Sequence, residues 1–303
     1  MSLLLGILAA FGGGVFAAAV GGVPAFIFTG VFSIVGACIG FAGAGDAANF
    51  VVNNMAFGCF FGPHISFAGA VAAAAYAKKK GSIENGADII SCLAGLNEAD
   101  VLAVGGVFGV IGFLFKEFVV NNLFAGTIST KLVTDGPGFT VFCSAILVRL
   151  IFGGKLFTGK GNIVSEGKAF TNCLMISFGY ALVVSGVYVY AIEAGGVPVE
   201  TISGFYHVLI FGMAAIGLTF AVAGQAFYGC HHIVIIAAEA VVAGYAKTGS
   251  ALAAIVIGVI CGVISGIICD AEGCLINCGT DSHIDGPATA IFIMTFVVNA
   301  IFG

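Results

Sequence analysis

The segment from Cys269 to Pro287 carries the densest chemistry in the chain. It reads Cys-Asp-Ala-Glu-Gly-Cys-Leu-Ile-Asn-Cys-Gly-Thr-Asp-Ser-His-Ile-Asp-Gly-Pro and lies between two apolar runs. Ionisable groups next to lipid are costly, so they are functional candidates by default. Thr280, Asp281, Ser282 and Asp285 are hard oxygen donors that suit Na⁺. His283 can carry a proton near neutral pH. Cys274, Cys278 and His283, with Cys230-His231-His232, offer softer donors, but their spacing matches no zinc pattern. No metal or cofactor is therefore expected other than Na⁺.

A second set of candidates is built on amides. Asn53-Asn54 and Asn121-Asn122 each follow Phe-Val-Val, and Asn277 precedes Pro287 much as Asn53 precedes Pro63. An amide offers both donor and acceptor to a broken backbone or to a solute, and it also caps helix ends. Both roles stand open for these residues. Thr127 and Gln225 lie in similar polar interruptions, and His64 and His232 head apolar runs. Together with Asn277 and Thr280 they complete the expected solute-binding set. Glu239, inside an apolar run about two turns beyond His232, joins Asp135, Asp281, Ser282, His283 and Asp285 as an ion-coupling candidate. Asp135 and Asp285 each precede Gly-Pro, where an aspartate caps a helix and offsets its dipole. Arg149 and Glu193, near span ends, read as snorkelling side chains.

The elements that hold these residues must be membrane helices. Hydrophobic residues make up 60% of the chain and charged ones 8%. Mean hydropathy is +1.16. A soluble domain usually has about a quarter of its residues charged, so a water-facing surface cannot be built here. Apolar runs near the length of a span occur at 3–21, 25–44, 63–78, 99–116, 137–153, 170–192, 203–223, 232–247, 250–268 and 287–302. The 47 glycines suit close helix contacts. Ten scattered cysteines read as small apolar residues rather than a disulfide framework.

The chain repeats itself. Gly21-Gly22-Val23-Pro24 recurs at Gly195–Pro198, and Pro63-His64-Ile65 is echoed by His231-His232-Ile233. Tyr76-Ala77-Lys78 recurs as Tyr245-Ala246-Lys247, and Asp135-Gly136-Pro137 as Asp285-Gly286-Pro287. The order is kept. An odd number of spans per copy inserts the second copy upside down. The expected fold is an all-α integral membrane protein of about ten transmembrane helices in two inverted five-helix repeats. These are residues 1–153 and 170–303, joined by a cytoplasmic connector at 154–169. Lys78, Lys79 and Lys80 then share the cytoplasmic side with Lys155, Lys160 and Lys168. Segments 46–62, 118–136, 224–231 and 269–286 are expected to be re-entrant or broken helices, since membrane-depth backbone must face protein or water.

The stretch Phe61–Ala77 resembles uncharacterised bacterial polytopic membrane proteins, which implies a multi-pass place in the bacterial inner membrane and no particular activity. No phosphate-loop pattern follows the glycine-rich runs, and no nucleophile–base–acid spacing appears, so ATP drive and enzymatic catalysis are not expected. No basic stripe suggests nucleic acid. The expected function is ion-coupled secondary transport, by alternating access, of a small polar or anionic solute, with Na⁺ or H⁺ as coupling ion. A passive channel and a non-catalytic subunit of an ion-translocating complex are the alternatives. The partners expected are the lipid bilayer, the solute or ion, and other copies in a homo-oligomer.

Overall fold

A computed structural model describes residues 2–124, 133–157, 159 and 161–303. Among these the regular structure is all helical, with no strand. The first half holds α1 (Ser2–Val20), α2 (Gly22–Phe41), α3 (Gly45–Phe50), α4 (Ser66–Lys80), α5 (Ala99–Phe115), α6 (Asn121–Phe124) and α7 (Gly136–Phe152). The second holds α8 (Lys168–Glu193), α9 (Val199–Ser203), α10 (Tyr206–Gly217), α11 (Thr219–Val222), α12 (His231–Thr248), α13 (Ala251–Leu275) and α14 (Gly286–Phe302). Each apolar segment of the sequence thus carries a helix. Five helical segments are long and apolar enough to cross a membrane: Ser2–Val20, Gly22–Phe41, Ala99–Leu123, Lys168–Glu193 and Ala251–Leu275.

Two of the expected interruptions are shorter than the sequence suggests. Residues 118–124 continue α5 through a π-helical turn at Lys116–Val120 into α6, and residues 269–275 complete α13. The polar groups there find partners without breaking the helix. The Asp270 carboxylate accepts from the backbone N–H of Ser165 at 2.7 Å and from its hydroxyl. This pins the 154–169 connector to the end of α13. The Phe-Val-Val-Asn-Asn repeat takes the same form twice, since Val51–Ala56 is also π-helical. Such turns widen a helix locally and are frequent at functional sites. Asn54 and Asn122 each donate to the carbonyl four residues back, at Phe50 (3.1 Å) and Phe118 (2.9 Å).

The helices associate in a matched pattern. α1, α4 and α5 pack as one group, and α8, α12 and α13 as another. Across the middle, α2 packs on α10 and α7 on α14. Small residues let these helices close up. Gly258, Gly262 and Gly266 of α13 face Ser185, Ala181 and Ser177 of α8, and a Cβ on Gly262 would sit 2.6 Å from that of Ala181. In the first group, Gly105 of α5 meets Ala18 and Gly14 of α1. The outward faces are apolar: Leu252, Val256, Ile260 and Ile264 form one exposed stripe, and Met175, Val183 and Tyr190 are each more than 60% exposed. Water cannot wet that area cheaply, whereas lipid can.

α4 and α7 finish side by side. Lys79 donates to the Ile151 carbonyl at 2.7 Å and lies over the Phe152 ring. The lysine cluster ending α4 and the connector after α7 therefore share one end of the bundle. Tyr245 near the end of α12 bonds Glu193 at the end of α8 at 2.8 Å.

Candidate functional site

The two Asp-Gly-Pro motifs fold alike. Asp135 and Asp285 are N-caps, their carboxylates accepting from the backbone N–H of Gly138 and Ala288, and proline occupies the first turn of each helix. Proline's fixed φ and missing N–H suit that place. The two helix starts run past each other. The Thr134 hydroxyl donates to the Phe292 carbonyl, and Asn299 donates to that of Val133 at 3.3 Å.

Both starts open onto one cavity of about 760 Å³. It is lined by Asp135, Pro137 and Val141 from α7 and by Asp285, Pro287 and Ile291 from α14. α2, α4, α10 and α12 contribute Phe26, Phe67, Phe211, His207, His231 and Glu239, and the π-helical turns bring Asn53 and Lys116. The volume lies within the range of small-molecule sites.

The expected site residues divide clearly. Asn53, Asn121, Asp135, Glu239, His283 and Asp285 line the cavity. Glu239 accepts from the Thr295 hydroxyl at 2.8 Å. His283 pairs with Asp285 at 3.1 Å, and Asn277 reaches the other ring nitrogen at 3.3 Å. Asn54 and Asn122 point their amides at their own helix, and Gln225 is exposed in the loop before α12. His64 and His232 are buried away from the cavity. Thr127 lies outside the described residues.

The oxygen set expected for Na⁺ has another use. Arg149 of α7 is fully buried and donates to the Ile276 carbonyl (2.6 Å), the Thr280 hydroxyl (3.1 Å) and the Ser282 carbonyl (2.8 Å). It also reaches the Ser282 hydroxyl (3.0 Å), the Asn277 amide oxygen (3.3 Å) and the Leu156 carbonyl (3.0 Å). The Arg149 guanidinium therefore organises 276–282 and takes Thr280 and Ser282 from the expected oxygen set, while Asp281 is exposed beside it. The snorkelling expected of Arg149 is corrected: its planar fork fits a loop of carbonyls better than water. The soft-metal alternative also lacks geometry. No three His, Cys, Asp or Glu side chains are grouped for a metal among the described residues.

At the starts of α7 and α14, where free amides would favour an anion, the Gly138 and Ala288 N–H groups are taken by Asp135 and Asp285.

Sequence reasoning missed Lys116, His207 and the ring of phenylalanines. Lys116 was legible as a lone cation in an apolar run just before Phe-Val-Val-Asn-Asn. The aromatic lining had no signal of its own, because 29 phenylalanines are spread along the chain.

The matched helix groups and paired caps run the length of the chain, and so does a family model, which matches residues 1–171 and 178–302. The chain belongs to the family of unknown function DUF7973. No curated protein and no solved structure matches it. The family's description assigns no activity, so function rests on the cavity.

Proposed function

We propose that this chain is a membrane transporter of ten spans in two inverted five-helix repeats, moving a small polar solute in exchange with or alongside H⁺ or Na⁺. The observation that carries this reading is the meeting of two Asp-Gly-Pro helix starts, one from each half, on one cavity. Repeat-built carriers place their sites at such an interface, on broken helices near the membrane midplane. The matched packing supports the duplication: α1, α4 and α5 correspond to α8, α12 and α13, while α2–α10 and α7–α14 are the self-paired contacts. α7 ends beside the lysines of α4, whereas α14 starts at the same cavity and runs the other way past α7. Solute would lie between Asn53 and Asn121. Glu239 would take the coupling ion, since the hydroxyl that bonds it, from Thr295, is neutral and leaves its charge unpaired among the described residues.

The test is flux. Purified protein in sealed vesicles should accumulate at least one small polar solute when a pH or Na⁺ gradient is imposed. Glu239→Gln should abolish accumulation while leaving the protein monodisperse. Equilibration at the same rate with and without a gradient would instead establish a passive channel.

A further inference from the structure

The cavity lining has a charge and an aromatic content that single out one class of solute. Among the described residues, three carboxylates line it, from Asp135, Glu239 and Asp285, against one ammonium, that of Lys116. That ammonium is held by Glu117 at 3.1 Å. Four phenylalanines line the same space: Phe26, Phe57, Phe67 and Phe211. Their rings form one cluster, with centroids 5.4 Å apart for Phe26–Phe211, 5.2 Å for Phe57–Phe211 and 6.1 Å for Phe26–Phe67. Aromatic faces carry negative potential and attract cations.

One further group points the same way. His231 lines the cavity, is 7% exposed, and packs 4.9 Å from Phe26. Among the described residues its Nδ1 has no hydrogen-bond partner. A neutral imidazole offers one lone pair, and buried polar groups are seldom left unmatched. A solute carrying N–H donors would answer both that lone pair and the carboxylates. An anion would meet three carboxylates and find the Gly138 and Ala288 amides already bonded.

We infer that the cavity binds an organic ammonium, a primary amine with an apolar body, its charge at the Glu239 and Asp135 carboxylates and its body among Phe26, Phe57, Phe67 and Phe211. This rests on the transport reading for its purpose but not for its test. Glu239 cannot hold an ammonium while it holds a proton, so solute and proton compete for it and transport runs as exchange.

Three probes of one shape decide the matter: phenethylammonium, neutral 2-phenylethanol and anionic phenylacetate, titrated calorimetrically into the purified full-length protein. Phenethylammonium should bind saturably, at least tenfold more tightly than either of the others. Glu239→Gln and Phe211→Leu should each weaken it about tenfold, and Glu239→Asp should retain most of the affinity, with all variants eluting as folded protein. Equal or tighter binding of phenylacetate would overturn the inference, as would saturable binding by none of the three. Binding unaffected by Glu239→Gln would overturn it too. Binding of phenethylammonium without flux in vesicles would sink the transport reading and leave the ammonium site standing. Gradient-driven flux of an anion would do the reverse.

Discussion

The starts of α7 and α14 share a motif and differ in what holds them. Each has an aspartate cap, a proline in the first turn, and a threonine bonded back to the preceding turn: Thr140 to Gly136 and Thr289 to Asp285. The start of α7 leans on the body of α14 through Thr134 and Asn299. The start of α14 has an anchor of another kind. Its approach, 276–282, is gripped by Arg149 at the far end of α7, and its cap carries His283 as well. Position 133 is valine where the second copy has His283, and no copy of Arg149 occurs near the end of α14. One cap motif therefore fixes where a helix begins, while unrelated residues decide how firmly that beginning is held.

The largest effect expected from breaking this asymmetry is at Arg149. Arg149→Met strands buried carbonyls and hydroxyls that a charged donor had satisfied, and such bonds contribute about 1.5–3 kcal/mol each. A loss of at least about 3 kcal/mol is expected, read as a fall of roughly 6 °C or more in the unfolding midpoint in detergent. Arg149→Lys should recover only part of it, because an ammonium has three donors and no fork.

Next come the caps themselves. Losing an N-cap costs about 1 kcal/mol. Asp135→Ala should cost about that, and Asp285→Ala more, because it also removes the carboxylate that His283 pairs with. Equal shifts in the two unfolding midpoints would erase the proposed difference.

The asparagine pairs test the cavity rather than stability. Asn53→Ala and Asn121→Ala should weaken solute binding about tenfold, a loss of about 1.4 kcal/mol. Asn54→Ala and Asn122→Ala should leave binding unchanged, because those residues lie outside the cavity lining and their amides donate to Phe50 and Phe118. Uniform effects across all four would detach the pairs from the cavity.

The smallest effect lies outside the membrane. In the loop between α4 and α5, burial works to raise the Asp88 carboxyl, yet hydrogen bonds from Ser91 and Ile90 hold it below its usual range. A carboxylate with a lowered folded value stabilises above its unfolded value of about 3.9 and loses that contribution as pH falls through the folded one. Asp88→Asn should therefore lower the unfolding midpoint slightly at neutral pH, and the gap should close as pH falls through the lowered folded value. A gap that persists in acid would assign the effect to geometry alone.

The sequence exposes the parts of this fold that depend on pattern. Apolar runs locate the helices, because a span needs length and little else. Asp-Gly-Pro locates the cavity, because cap chemistry is local and leaves a readable signature. What depends on partners far along the chain stays hidden. Nothing near Arg149 announces that its donors meet residues 276–282, so its neighbours suggest an ordinary span end. The same holds for Thr280 and Ser282, whose side chains resemble cation ligands until the guanidinium between them is seen. Residues 118–124 and 269–275 look like loops by polarity, and helical hydrogen bonding together with Ser165 and Glu117 accounts for why they are not.

In the proposed transporter, one cavity at the meeting of two oppositely directed helix starts would open to each side of the membrane in turn. Asn121→Cys, in a background with the native cysteines replaced, places a thiol on its wall. In sealed vesicles, an impermeant thiol reagent should modify it from one side under one direction of the imposed gradient and from the other side when the gradient is reversed. Modification from the same side under every condition, or from both sides at once, would contradict the account.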